Sequence, residues 1–581
     1  MVSWAAIGIG SLNRILWHYR AMSSISFSDS RLKLRSPDSV MRLERLGSAF
    51  PTRLSFGRSM IRNLIADDVD VRRTRWTMND QGYGRATYTL DLGGHTYSLI
   101  AFSNALNDAD RSDRVIAEAW DASFALFDGI PEDSDLDRLE ANLPKQEAGR
   151  YSEKELVISR SNKSVRLFSH VASALAEGRQ PDVDMVDSIG YLMRTTAVYG
   201  NGKFGIADRF VFADRPGLGG PFAAEMLTVW LIRHFTHDLV EHVAMAMGGN
   251  TAVSLDSTIK RHLGIGNSTG LGMAPFLIHH PELIHNWLSA RETAIARVRA
   301  VESLSDEQQT RLQMLLERAK AHVSQWFVPD EIQTARLDVL RAELADMPAP
   351  DLTGDFPLQR LIDWSLSQSV ECQELIAALC LEPFGEMIDE LTSVMAFNAP
   401  KAFDASQTVA QTRTIIGEHY TWSEDFDLNL QESQQRFWYV SEAKLEPRLG
   451  DRYAEDGADR EQPLDIARQV QALVSTLSGF ADDTPLKDVL AHHPEHRNIA
   501  KRIQAAVDRP FAEVRDNLID QSMRPIDLLR CKLAFFGAVK FDPKSDLWTR
   551  ITLFQGAPLA SELQTRGDDW WLATKPAQNA L

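Results

Sequence analysis

Cysteine is nearly absent from this chain. Three occur in 581 residues, Cys372, Cys380 and Cys531. None forms a Cys-x-x-Cys pair or a Cys/His ligand spacing, so neither a disulfide framework nor a structural zinc site is expected. A reducing cytoplasm is the simplest compartment for such a chain. No apolar run approaches the ~18 residues that a membrane span needs, and no membrane partner is expected. The opening MVSWAAIGIGSLNRILWHYR has no basic residue ahead of its short apolar patch, which argues against a secretory signal. It carries arginines and no acid before Asp29, so a transit-like presequence is the alternative. Internal repeats and low-complexity segments are missing too.

Surplus positive charge is also missing. The formal net charge is −18, which opposes non-specific binding of nucleic acid. Residues 1–75 run the other way, with basic residues outnumbering acidic ones about two to one. Arg72, Arg73 and Arg75 sit there without interleaved exposed aromatics. The expected partner is therefore an acidic surface of the same protein, in cis or across a homo-oligomer, rather than a nucleic acid.

The length predicts two to four domains. The clearest β signal is Arg73–Met78, Arg85–Leu92 and His95–Phe102, in which Tyr88, Leu90 and Leu92 alternate with Thr87, Thr89 and Asp91. Gly93-Gly94 between two such runs supplies the positive φ of a tight hairpin. Helical spacing is read over Asp113–Phe127, Ser164–Glu177, Phe222–Met247, Ala290–Ser324, Leu358–Phe397, Leu464–Phe480, Leu486–His493 and Asn498–Arg509. Residues 535–556 read as a β-hairpin with its turn at Asp542–Asp546. The expected fold is mainly α with a smaller α+β part. An N-terminal antiparallel β-meander packs on helices, followed by a large helical body and a C-terminal β-hairpin. The expected divisions are an arm (1–36), an α+β domain (37–180), a helical core domain (181–400), an irregular charged connection (401–463) and a C-terminal helical domain (464–581). The connection is longer than most, and such loops tend to bind partners or act as lids.

Chemistry-bearing residues crowd into Asp187–Trp287. At 100° per residue, Leu227, Trp230 and Leu231 share a helical face with His234, His237, Asp238 and Glu241. An apolar start to that face carries the later groups inward, where they need partners. Either histidine, poised by Glu241 or Asp238, could transfer a proton. HEXXH is absent, and HDLVEH (237–242) is one residue longer than the inverted zinc motif. Glu282-Leu-Ile-His285 is a single Glu-x-x-His element, whereas di-iron bundles use two. A divalent metal such as iron, zinc or manganese on His234, His237, Glu241 and His285 is the alternative to a cofactor-free site.

The run Gly264–Gly272 offers closely spaced backbone N–H groups with Asn267, Ser268 and Thr269, and it is read as an anion-binding loop. It follows a helix rather than a strand, and no Gly-Lys-Ser/Thr follows, so neither nucleotide motif applies. Gly266–Gly270 fits GxSxG, but the strand that a nucleophile elbow needs is not visible before Ser268. Arg194 after the apolar Ile189–Met193 could clamp a carboxylate. The Gly200-Asn201-Gly202 turn would bring Tyr199 and Lys203 beside each other. Each feature has an ordinary structural explanation, and their crowding is what suggests a pocket. Three functions follow: a lyase or isomerase on a small anionic metabolite, with Arg194, Asn201, Lys203, Asn267, Ser268 and Thr269 binding and His234, His237, Asp238, Glu241 and Tyr199 catalytic; a metal-dependent oxygenase or hydrolase; or a non-catalytic helical interaction protein.

Overall fold

A computed structural model describes residues 32–107, 110, 119–143, 152–198, 214–269, 281–395, 402–424, 427, 437–441, 444–450, 459–461, 463–513, 525–545 and 548–577. Its strands are β1 (Arg72–Met78), β2 (Gly84–Leu92), β3 (His95–Ser103), β4 (Ala122–Asp128), β5 (Glu155–Lys163), β6 (Tyr191–Thr195), β7 (Gly264–Thr269), β8 (Phe437–Ser441), β9 (Lys444–Gly450), β10 (Asp459–Glu461), β11 (Lys540–Ser545) and β12 (Trp548–Leu553). Nine of them form one mixed sheet in the order β1-β2-β3-β4-β5-β6-β7-β12-β11, and β10-β8-β9 form a small second sheet. Neighbours from β1 to β6 are antiparallel, β6 and β7 are parallel, and β12 returns antiparallel to β7. Gly93 and Gly94, at φ 62° and 76°, make the two-residue turn between β2 and β3.

This plan overturns the expected one. The meander is not a separate N-terminal unit but three of nine strands. The C-terminal strands are not a terminal hairpin beside a helical body, because β12 is hydrogen-bonded into the sheet against β7. Residues 122–127, expected in a helix, lie in β4. The physical reason is burial on both faces. Leu99, Ala101, Phe124 and Leu126 join the main core, while Ile100, Phe102, Ala125 and Phe127 join a second cluster with Leu136 and Leu139. A strand covered on both sides shows a continuous apolar run instead of alternation.

The helices used below are α1 (Phe56–Ala66), α2 (Asp133–Asn142), α3 (Phe168–Ala176), α4 (Ala223–Gly248), α5 (Ser257–His262), α6 (Pro281–Arg299), α7 (Val409–His419), α8 (Pro463–Leu477), α9 (Leu486–His492), α10 (Arg497–Ala506) and α11 (Pro525–Phe536). α4 lies across β3–β7 and against α3. Its Phe235 meets Phe124 edge-on at 5.4 Å and Trp76 at 6.1 Å. α2 covers the opposite face of the sheet. The single helix expected over 290–324 is two: α6 stops at Arg299, and a second starts at Asp306 behind a Ser305–Gln308 capping box.

The main core runs from Val40 to Leu572, so both ends of the chain share it. A second cluster joins Val409 and Ile416 of α7, Leu473 of α8, Val489 of α9 and Ile503 of α10. The described part of the basic N-terminal segment docks on acids of the same chain. Arg35 and Arg45 bind Glu374, Arg58 binds Glu382, and Arg53 and Arg62 bind Asp389 and Asp568. Among the described residues no helix is long and apolar enough to cross a membrane.

Candidate active site at the parallel strands

β6 and β7 are the one parallel pair among the described strands. In mixed sheets, ligands tend to bind outside the carboxyl ends of such strands, where the connections diverge. Arg194 of β6 stands opposite Gly266 of β7, so the pairing brings together two segments predicted to bind an anion. Gly264–Thr269 is strand and not a loop. Its glycines are there for packing. A Cβ on Gly264 would lie 2.2 Å from the Leu553 carbonyl oxygen, and one on Gly266 would lie 2.8 Å from the Tyr191 ring. Ser268 sits inside β7 opposite Arg550, not at a strand-to-helix elbow, and Thr269 pairs with Thr549. Tyr199, Asn201 and Lys203 lie outside the described residues.

Asn267 is buried and bonded at both ends of its amide. Its Nδ2 donates to the Thr195 carbonyl at 3.0 Å, across to β6. That bond turns Oδ1 toward α11, where it accepts from Lys532 Nζ at 2.6 Å. Lys532 is 1% exposed, and its ammonium stands 5.6 Å from the Phe536 ring centre. No carboxylate among the described residues offsets its charge, and burial pulls the amine down to about 7. Sequence reading missed this residue. The signal was a lysine inside the apolar run Cys531–Val539. Its neighbour Cys531 is inert by comparison, because burial pushes the thiol up to about 12.

The histidine face of α4 is arranged differently from the prediction. His234 packs edge-on to Trp230 at 4.5 Å, and burial with nearby Arg233 pulls it down to about 3. His237 is buried and held well below its ordinary value by burial, then by Arg233. Asp238 points at the sheet instead, accepting from Tyr88 Oη at 2.7 Å and Arg73 Nη1 at 3.0 Å. Glu241 accepts from the Leu255 amide at 2.8 Å and pairs with Lys260 at 2.7 Å. Among the described residues neither His234 nor His237 is paired with Asp238 or Glu241. His285 on α6 accepts from the Phe511 amide at 3.3 Å and stacks on that ring. Burial pulls it down to about 4. His234, His237, Glu241 and His285 therefore form no ligand group in the described structure. Among the described residues the group of three ligating side chains close enough to share an ion is His493, Glu495 and His496.

Arg233 was also not foreseen. It is fully buried and donates only to carbonyls: Leu263 at 2.8 Å, Arg261 and Ala557 at 2.9 Å, and Lys260 and Pro558 at 3.2 Å. Three of these groups end α5, so one guanidinium satisfies the carbonyls that a helix terminus leaves open. A cleft of about 650 Å³ opens beside Glu282, walled by Gln411 and Glu418 of α7 and Lys501 of α10; neither Asn267 nor Lys532 lines it. No family model, curated protein or solved structure matches this chain.

Proposed function

We propose that this protein is an enzyme that moves a proton on a small anionic metabolite, in a lyase or isomerase type of reaction, with Lys532 as the group that carries the proton. The observation behind the reading is the buried Lys532–Asn267 contact. A lysine near 7 is half neutral at physiological pH, which suits a general base that must also return the proton as an acid. Such a base would take a proton from carbon beside a carboxylate or carbonyl. Asn267 would orient the amine, and Arg194 would hold the anion as substrate arrives past the carboxyl ends of β6 and β7. His234 and His237 leave the scheme, because burial makes both imidazoles too weakly basic to take up a proton at neutral pH. A homo-oligomer in the cytoplasm is the expected setting; light scattering would measure the first.

The test is a thermal-shift screen of small carboxylates and inorganic phosphate, followed by proton NMR of each stabilising compound in D2O. Wild type should catalyse loss of a carbon-bound proton signal, and Lys532→Met should not. If no compound raises the melting temperature, or if Lys532→Met exchanges the proton at the wild-type rate, the proposal fails.

A further inference from the structure

The junction of α9 and α10 carries a second chemistry, independent of Lys532. Residues 492–496 read His-His-Pro-Glu-His. Pro494 opens one turn of 3₁₀ helix, closed by the His496 amide donating to the His493 carbonyl at 3.2 Å. In a 3₁₀ turn side chains three apart eclipse, so His493 and His496 face the same side. Glu495 lies between them. Its Oε1 is 3.3 Å from His493 Nδ1 and 3.9 Å from His496 Nε2, and the three ligating atoms lie within 4.8 Å of one another.

We propose that His493, Glu495 and His496 form a site for one zinc-class divalent ion. Four-coordinate zinc, with bonds of about 2.0–2.1 Å, sets its ligands about 3.3 Å apart. Of the three separations, Glu495–His493 already has that value, Glu495–His496 closes with a shift of roughly half an ångström, and His493–His496, within 4.8 Å, closes as the exposed His493 turns inward. The side chains that must move are free to do so, with His493 39% and Glu495 61% exposed. His496 is the least exposed member, at 9%; its Nε2 bonds the Thr476 hydroxyl of α8 at 2.9 Å, a bond that the ion would replace. Two imidazoles and one carboxylate select zinc, cobalt, nickel or copper over magnesium and calcium. Three protein ligands leave a fourth position for water on the exposed side. His492 is not a ligand, since its Nδ1 bonds the Asp488 carbonyl at 2.9 Å.

The full chain, stripped with chelator, should retain about one equivalent of zinc in equilibrium dialysis. Cobalt in its place should give the visible bands of four-coordination without a thiolate band, because the three cysteines are buried elsewhere. His493→Ala and Glu495→Ala alter exposed side chains and should fold normally by circular dichroism while losing the ion. Wild type that retains no zinc overturns the site. So does an unchanged stoichiometry in both variants, which would place the ion on other residues.

Discussion

At the scale of single residues, burial rather than neighbouring charge sets the behaviour of Lys532 and of the histidines His234, His285 and His322. Lys532 sits at about 7 in the folded chain against 10.5 in water. Between those values the unfolded chain holds a proton that the folded chain has released, so stability contributed by this site rises with pH from about 7. Urea midpoints at pH 7 and 9 should therefore climb more in wild type than in Lys532→Met. An equal climb would mean that Lys532 is protonated in the fold. Histidines run the same way in a lower window. His234 is pulled down to about 3, and His285 and His322 to about 4, all chiefly by burial. Below 6.5 the unfolded chain takes protons that these rings refuse, so stability falls as pH drops toward 4. His322, bonded through Nδ1 to the Ala573 carbonyl, offers the check: His322→Gln should blunt the fall in melting temperature between pH 7 and 5. Arg194 could be picked from sequence because a polar group after an apolar run needs a partner, and Asn267 as part of a glycine-rich loop that is in fact a strand. Lys532 could not be ranked, since its partner Asn267 is 265 residues away.

At the scale of elements, α4 is fastened to the sheet edge by a polar staple. Asp238 takes the Tyr88 hydroxyl and Arg73 at once. Asp238→Ala leaves the largely buried Tyr88 hydroxyl without its acceptor and should cost about 1–3 kcal/mol, measured by chemical denaturation. A cost near zero would show that water replaces the carboxylate. The carboxylate expected to poise a histidine thus serves assembly of helix and sheet. Spacing on a helical wheel put Asp238 beside the histidines, and its partners are Tyr88 and Arg73 of the sheet instead. Elements were legible where apolar and polar residues alternate, as at β2, and where helices are long, as at α4. They were illegible where strands are buried on both sides, as at β4, or built from glycine and small polar residues, as at β7. Gly266→Val tests the packing account of that strand: its side chain would enter the Tyr191 ring, and the melting temperature should fall sharply.

At the scale of the whole molecule, ion pairs tie the first described helices to the last residues. Arg58 is 1% exposed and Glu382 2%, at 2.6 Å, with Asp568 on the same guanidinium at 3.2 Å. Breaking a buried pair from one side strands the other charge, so Glu382→Gln should destabilise by about 3 kcal/mol. A double change of Arg58 and Glu382 to apolar residues should recover part of it, because the desolvation cost of both charges then disappears. Basic composition at one end of the chain and acid in its body were readable in sequence. Which acids answered which arginines was not, since each pairing spans hundreds of residues.

The sheet order has a consequence for synthesis. β7 waits for β12, and 279 residues separate Thr269 from Trp548. At translation speeds of about 5–20 residues per second, that edge stands open on the ribosome for tens of seconds. An unpaired strand is a template for the wrong neighbour, and natural edges are usually blunted by charge or proline. β7 has neither. It reads Gly-Ile-Gly-Asn-Ser-Thr, a sequence with one large apolar residue and two glycines. Low β-propensity makes it a poor nucleus for aggregation. The composition that hid this strand from sequence reading is thus the one that lets a nascent chain leave its sheet unfinished without sticking to its neighbours.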